Sequence, residues 1–217
     1  MSITDPAAPS RRHHLALATA VVSGVALLTA LVAQLGADEN WAIDEKVRAT
    51  LGAKGHRRTR AALRVAGTAG TVGVYLPAVA LTSLLLMRRR TGADALPLVA
   101  SVAGAAGASW LLKRLVRRPR PRPLRGPVNE RPSFPSGHAT RASAVSLTIA
   151  YLLVRERLVP APVAMPLAVA IAFAAGVSRA YADVHWTTDV IGGWALGGAS
   201  AGMSAMLYES RRAEQFA

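Results

Sequence analysis

Long apolar segments dominate the pattern of hydrophobic and polar positions along the chain. Six segments are free, or nearly free, of Asp, Glu, Lys and Arg: 15–36, 65–87, 95–112, 136–154, 158–178 and 190–208. A membrane-spanning helix needs about 20 apolar residues, since each helical residue rises about 1.5 Å. The pattern therefore predicts an all-α integral membrane protein built as a bundle of six transmembrane helices.

The fourth apolar segment differs from the others because it contains His138 and Arg141 near its start. Ionisable side chains are costly in lipid. We therefore expect this end of the helix to lie at the interface or to face protein. The apolar segments are also rich in Ala, Gly and Ser, and small residues let membrane helices approach closely, although their spacing alone identifies no particular contact.

The polar segments between the apolar ones give little sign of a second domain. Residues 38–64 carry no long apolar run and are predicted to form an interfacial, partly helical loop. The first apolar segment follows "RRHH" but is longer than the apolar part of a typical signal peptide, so it is predicted to be the first spanning helix. One membrane-embedded domain, residues 1–217, accounts for the sequence.

Composition agrees with a multi-pass protein of the cell membrane. Hydrophobic residues make up 52% of the chain, and the mean hydropathy is +0.29. The formal charge of +14 could suit nucleic acid. Much of this charge, however, lies between apolar segments, so anionic membrane lipids are the expected partners and nucleic acid is not. The absence of cysteine excludes a disulfide, a thiolate metal site and a thiol nucleophile.

The distribution of basic residues predicts the orientation of the bundle. Six crossings place both termini on one side, together with the short basic loops at 88–90 and 155–157. Short basic loops flanking spans favour the cytoplasm. The opposite face carries basic residues in 46–64 and 113–131, but long loops weigh less in this rule. We therefore expect 113–131 to lie on the extracytoplasmic face.

A strongly basic, proline-rich segment follows the third apolar segment. Residues 113–131 contain eight Lys or Arg against one acid, Glu130. Prolines deny the segment a regular helix and hold it extended. Most of these arginines are expected to be solvated and to touch lipid phosphates. Lys113 and Arg120 stand apart because of the motifs that follow.

The sequence "PSGH", residues 135–138, lies where the fourth helix is predicted to begin. Free backbone N–H groups, the helix dipole and the close approach allowed by Gly137 favour an anion at such a helix start. Ser136 can add a hydroxyl donor. His138, in the first turn, then lies near any bound phosphate, although a histidine can also sit at a membrane interface without a ligand.

A second histidine lies between the fifth and sixth predicted helices, in "SRAYADVHWTTD". Asp189 follows His185 by one helical turn, so the two side chains can meet. A carboxylate that accepts one imidazole N–H leaves the other nitrogen as a nucleophile or a base. With six helices, the ends of the third and fifth and the starts of the fourth and sixth fall on the same side of the membrane. One cluster is therefore predicted to contain Lys113, Arg120, Ser136, His138, Arg179, His185 and Asp189.

Three motifs in this order resemble those of the type 2 phosphatidic acid phosphatase superfamily. They are Lys113 with Arg120 and Pro121, then "PSGH", then Arg179 with His185 and Asp189, all within the motif core 113–189. That superfamily shares its helical core with vanadium haloperoxidases and bacterial acid phosphatases. Each motif alone is weak, but the three together are specific, and the six-segment pattern extends the likeness over most of the chain.

The resemblance implies a phosphatase that needs neither a metal nor a cofactor. It implies that His185 attacks phosphorus to form a phosphohistidine, that Asp189 orients His185, and that His138 protonates the leaving oxygen. The remaining motif groups would hold the phosphoryl oxygens: Lys113, Arg120, Ser136, the amide of Gly137, and Arg179. The residues themselves agree, because phosphoryl transfer depends mainly on positioning and on positive charge around the transferred group.

The leading hypothesis is therefore an integral membrane lipid phosphatase acting on lipid mono- or diphosphates. Family members of this kind act on undecaprenyl or other polyprenyl diphosphates, phosphatidate or phosphatidylglycerol phosphate. Two alternatives stay open at this stage. A lipid hydroxyl could replace water as acceptor, which makes the protein a phosphotransferase, or the basic cluster could bind or transport anionic lipids without turnover, although binding alone does not require the paired histidines.

Overall fold

In the computed structural model, the structure describes residues 11–37, 42–53, 57–88, 95–121 and 131–216. These ranges form α-helices joined by turns and short extended segments, and they contain no β-strand. The helices are α1 (Arg11–Ala37), α2 (Ala42–Ala53), α3 (Arg57–Gly67), α4 (Val72–Met87), α5 (Ala95–Val116), α6 (Gly137–Arg155), α7 (Ala161–Tyr181) and α8 (Thr187–Phe216).

Four of these helices are long and apolar enough to cross a membrane: α1, α5, α7 and α8. A fifth candidate is the bent pair Ala61–Gly70 with Val72–Met87, whose axes differ by 53°. The prediction of an all-helical, multi-pass membrane fold is confirmed by the helical content and by these four or five candidate spans. The count of six spans is not confirmed, because α6 is absent from the candidates found among the described residues. α6 carries Arg141 and hydroxyl residues among its apolar positions.

The second apolar segment, predicted as one helix over 65–87, is broken. α3 ends at Gly67, residues 68–70 form a 3-10 turn, and α4 begins only at Val72. Thr71 has extended backbone angles, and both its N–H and its hydroxyl donate to the carbonyl oxygen of Thr68, at 2.8 and 2.6 Å. Threonine hydroxyls that bond to nearby backbone compete with a regular helix in this way.

The interfacial segment predicted over 38–64 is helical wherever the structure describes it. α2 and the greater part of α3 account for its described residues, while 38–41 and 54–56 lie outside them. α3 packs against α7, and α2 contacts the start of α8. The two short helices therefore lie over the end of the bundle that carries the motifs.

α6 is the central helix and packs against α5, α7 and α8. Its contact with α8 depends on glycine. A Cβ atom on Gly193 would lie 2.7 Å from the carbonyl oxygen of Ser136, and one on Gly197 would lie 2.5 Å from that of Thr140. Both distances are far below van der Waals contact, so only glycine allows the two helices to come this close.

Ion pairs join α6 to α8 at the end away from the motifs. Arg155 Nε donates to Glu209 Oε1 at 2.6 Å, and Glu209 is almost completely buried. Glu156 accepts from Arg212 at 2.9 Å and also from the hydroxyl of Tyr208. Because paired charges avoid the cost of burying an isolated carboxylate, these contacts fix the register of the two helices.

Candidate active site

The three motifs come together at one end of the bundle. The site is formed by the last turns of α5 and α7, the first turns of α6 and α8, and the segments 117–121, 131–136 and 184–186. Ser136 N–H donates to the carbonyl oxygen of Asp189 at 2.9 Å, and Ser133 N–H to that of Arg118 at 2.8 Å. The first bond holds the start of α6 against the start of α8, and the second holds the segment before α6 against the segment after α5.

His185 is the more buried of the two motif histidines, with only 5% of its surface exposed. Its Nδ1 lies 3.3 Å from Asp189 Oδ2, and its Nε2 lies 3.1 Å from Arg120 Nη1. A guanidinium nitrogen can only donate, so Nε2 accepts and holds a lone pair, while Nδ1 carries the proton toward Asp189. The geometry therefore selects the tautomer that leaves Nε2 nucleophilic.

The surroundings of His185 also favour its neutral form. Burial is the largest influence and lowers the pKa of His185 from 6.5 to about 4. Asp189 opposes this decrease, whereas the positive charges of Arg120 and Lys113 add to it. At neutral pH the imidazole is therefore uncharged, as a nucleophile must be.

The carboxylate of Asp189 is fully buried in the first turn of α8 and held by several donors. Oδ2 accepts the backbone N–H of Trp186 at 2.9 Å in addition to the imidazole of His185. Oδ1 accepts from Arg118 Nη1 at 2.9 Å and from the hydroxyl of Ser133 at 3.4 Å. The carboxylate that orients His185 is thus itself fixed in position.

Lys113, in the last turn of α5, lies beneath the segment that leads to "PSGH". Its ammonium group donates to the carbonyl oxygens of Pro132, Ser133 and Pro135, at 3.2, 3.2 and 2.6 Å. It interacts electrostatically with Arg120 and Asp189. Its charge therefore lies at the predicted cluster.

Arg120 links the basic segment to His185. Besides its contact with His185, it donates from Nε to the carbonyl oxygen of Arg131 at 2.9 Å and from Nη1 to that of Val184 at 2.6 Å. Arg179, in the last turn of α7, interacts electrostatically with Arg120. One guanidinium group therefore contacts Nε2 of His185, and a second interacts with the first.

His138, Gly137 and Ser136 form the α6 side of the cluster. His138 interacts electrostatically with Arg179 and His185, so it belongs to the same cluster of charges. The hydroxyl of Ser136 does not cap α6, and among the described residues neither Ser136 Oγ nor Arg179 Nε has a hydrogen-bond partner. A buried donor without a partner is costly, and a phosphoryl oxygen would satisfy it.

The 3-10 turn between α3 and α4 packs against α6 and α7 beside the cluster. A Cβ atom on Gly70 would lie 2.7 Å from the Cα and carbonyl oxygen of His138, and one on Gly67 would lie 2.8 Å from the hydroxyl of Ser178. The break in the second apolar segment thus places backbone directly against the α6 and α7 motifs.

Two cavities adjoin the cluster. One, of about 400 Å³, lies between α3 and α7 and is lined by Arg64, Gly67, Ser178, Arg179 and Tyr181, among others. The other, of about 390 Å³, is an apolar groove between α4, α6 and α7 that includes Ala142, one turn beyond His138, and reaches Leu153.

Arg118 also belongs to the cluster, although its position among the basic residues of 113–131 predicts a solvated arginine. That interpretation is wrong for Arg118, which is only 3% exposed. Its guanidinium donates to Asp189, to Thr188 Oγ1 at 2.7 Å and to Asp44 Oδ2 at 2.7 Å. Its acidic partners lie 71 and 74 positions away, so no local pattern separates it from its basic neighbours.

Comparisons with known proteins agree with this arrangement. A family model described as the PAP2 superfamily matches residues 94–213. Phosphatidylglycerophosphatase B of Bacillus subtilis (strain 168) is 43% identical over 70 residues, which are 30% of this chain and 34% of that protein. The chain thus aligns with about a third of the length of this relative.

Two solved structures have similar folds. The transmembrane PAP2 type phosphatidylglycerolphosphate phosphatase of Bacillus subtilis superposes with a TM-score of 0.77 at 25% identity, covering 91% of this chain and 97% of that one. Aquifex aeolicus LpxE superposes with a TM-score of 0.60 at 24% identity, covering 77% and 97%. Because the family model covers more than half of the chain and includes all three motifs, this protein belongs to the PAP2 superfamily.

Proposed function

We propose that this protein is an integral membrane phosphatase that hydrolyses lipid phosphates through a phosphohistidine at His185. The observation that carries the proposal is the state of His185. It is neutral, its Nδ1 proton points to Asp189, and its Nε2 lone pair lies beside Arg120. Capture of an anion would need only the cations, whereas this arrangement also provides a nucleophile.

In the first chemical step, Nε2 of His185 attacks phosphorus and the bond from phosphorus to the lipid oxygen breaks. His138 gives its proton to the leaving oxygen, so a lipid alcohol or lipid monophosphate departs. Arg120, which donates to Nε2 in the structure, transfers this hydrogen bond to a phosphoryl oxygen. Asp189 stabilises the positive charge that develops on the imidazole of His185.

In the second step, water attacks the phosphohistidine. His138, now neutral, takes a proton from the water, the P–N bond breaks, and inorganic phosphate leaves with His185 restored. The groups proposed to hold the phosphoryl oxygens in both steps are Lys113, Arg120, Arg179, the hydroxyl of Ser136 and the amide of Gly137. The unpartnered donors of Ser136 and Arg179 support this assignment. No step requires a metal, so chelation with EDTA should leave turnover unchanged.

The substrate is proposed to be a phosphate carried by a hydrophobic lipid. The apolar groove that passes Ala142 would hold the lipid tail next to His138, while the headgroup lies among the cations. The similarity to phosphatidylglycerophosphatase B makes phosphatidylglycerol phosphate the first substrate to test. Phosphatidate and polyprenyl diphosphates such as undecaprenyl diphosphate are the next candidates.

We also propose six crossings, formed by α1, the bent α3–α4 pair, α5, α6, α7 and α8. α6 carries more polar residues than the other proposed spans, but most of its polar side chains are covered by protein, including Thr140, Ser143 and Thr148. Such a helix can cross a bilayer without exposing these groups to lipid. With six crossings, and with the short basic loops at 88–90 and 155–157 in the cytoplasm, the proposed site faces away from the cytoplasm.

The test is phosphate release by detergent-purified protein on these three lipids and on a soluble phosphate ester. Wild-type protein should release phosphate from at least one lipid, and His185→Ala should be at least about 1000-fold slower. Arg120→Gln should also be impaired, while Arg117→Gln, which removes an exposed arginine of the same segment, should match wild type. Near-normal turnover by His185→Ala would overturn the proposal.

A further inference from the structure

A buried carboxylate outside the three motifs is connected to the catalytic cluster. Asp44, in the first turn of α2, is 1% exposed. Its Oδ1 accepts the backbone N–H of Thr188 at 2.9 Å, and its Oδ2 accepts the hydroxyl of Thr188 at 2.6 Å and Arg118 Nη2 at 2.7 Å. Asp44 therefore binds the residue that directly precedes Asp189.

Arg118 lies between two carboxylates. One nitrogen of its guanidinium binds Asp44, and the other binds Asp189 and Thr188. A buried charge is tolerated only when it is paired and hydrogen-bonded, so each member of this chain depends on the others. If Asp44 lost its charge, Arg118 would lose one of its two ionic partners, and its position on Oδ1 of Asp189 would be held less firmly.

We propose that Asp44, acting through Arg118 and Thr188, is a positioning residue for the nucleophile His185. By fixing the guanidinium and the start of α8, it sets the position of Asp189 and so the tautomer and orientation of the imidazole. This inference rests on the proposed role of His185. It gives α2 a part in catalysis although α2 supplies no group that touches the substrate.

The same helix has a second anchor that provides a matched control. Arg48 donates to Asp183 from Nε at 2.7 Å and from Nη2 at 3.0 Å, and both side chains are partly exposed. This pair also fastens α2 to the bundle but does not contact Asp189. Asparagine suits the positive φ of 55° at Asp183, so Asp183→Asn removes the anchor with little backbone strain.

The experiment measures kcat and KM of Asp44→Asn and Asp183→Asn, each alone and combined with Asp189→Asn. Asp44→Asn should lower kcat by about 10- to 100-fold and change KM less than about threefold, since it disturbs the nucleophile and not the phosphate-binding groups. In the Asp189→Asn background it should cause little further loss. Asp183→Asn should stay within about threefold of wild type.

A readout independent of turnover is the ¹⁵N spectrum of His185. Asp44→Asn should mix the two imidazole tautomers, whereas Asp183→Asn should leave the proton on Nδ1. If Asp44→Asn does not yield folded protein, Thr188→Ala replaces it, again measured alone and combined with Asp189→Asn. That variant removes only the hydroxyl shared by Asp44 and Arg118, and the same dependence on Asp189 is expected.

The inference would be overturned if Asp44→Asn lowered kcat by the same factor in the wild-type and Asp189→Asn backgrounds. It would also be overturned if Asp44→Asn and Asp183→Asn lowered kcat equally. Both results would show that Asp44 only fastens α2. They leave the proposed function intact when wild-type protein releases phosphate and His185→Ala does not. A wild-type protein that releases no phosphate from any lipid, with an unchanged His185 tautomer in Asp44→Asn, would refute both.

Discussion

The imidazole of His185 can attack phosphorus only while Nε2 holds a lone pair. Three features of its surroundings maintain that state: burial against protein, a donor on Nε2 that cannot accept, and a carboxylate that accepts the Nδ1 proton. The sign of the pKa shift follows from burial, which disfavours the imidazolium form. The neutral form therefore persists as the pH falls below the usual histidine range, until about pH 4.

Direct titration of His185 checks this state. Protein labelled with ¹⁵N-histidine is compared with His185→Ala to assign the resonance. We expect a titration midpoint near pH 4 and, above it, a proton on Nδ1. A midpoint near 6.5, or a proton on Nε2 at neutral pH, would contradict the description of His185 as a neutral nucleophile.

The sequence identified the motif side chains but not the groups that fix them. The convergence of His138, His185, Asp189 and the cations could be predicted, because their motifs are local and the order of the helices brings the motif ends together. Arg118 could not be separated from its neighbours, because its burial depends on Asp44 and Asp189, which are distant in the chain. A buried arginine differs from a solvated one in its ion pairs with residues distant in sequence, and composition does not reveal those pairs.

Helix packing near the site depends on glycines at particular positions. Gly197 of α8 faces the backbone of α6, whereas Gly198 has open space where a side chain would be. The sequence showed small residues at helical spacing but could not tell which of them lie in the contact. The break between α3 and α4 was equally hidden, because the apolar pattern continues through Gly67 and Thr71.

The two adjacent glycines allow a controlled test of the α6–α8 contact. Gly197→Ala places a Cβ atom 2.5 Å from the carbonyl oxygen of Thr140, and should lower the free energy of unfolding by about 1–3 kcal/mol. Gly198→Ala should be neutral or stabilising by up to about 1 kcal/mol, because alanine is the better helix former. Unfolding in detergent measures both. Equal stability of the two variants would contradict the close α6–α8 packing.

The molecule as a whole has two chemically different ends. One carries the motif cluster, with its excess of cations around two histidines. The other is closed by the ion pairs of Arg155 with Glu209 and of Arg212 with Glu156. In the proposed orientation the first end faces away from the cytoplasm, so that substrate and water reach the site from outside.

The absence of native cysteine makes the orientation measurable by single-cysteine labelling. Ala182→Cys lies at the exposed edge of the motif end, and Ser210→Cys at the exposed surface of the opposite end. A membrane-impermeant maleimide added to intact cells should label Ala182→Cys, and should label Ser210→Cys only after lysis. The reverse pattern would place the site on the cytoplasmic face.

The most direct test of the central claim is to trap the enzyme intermediate. Purified protein is mixed with a ³²P-labelled lipid phosphate, quenched in alkali within a single turnover, and digested for peptide mapping. We expect acid-labile, alkali-stable label on His185. In His138→Ala this label should form more slowly, because the leaving oxygen is not protonated, and should then persist longer, because water is not activated. Rapid phosphate release with no label on His185, or with label on another residue, would contradict it.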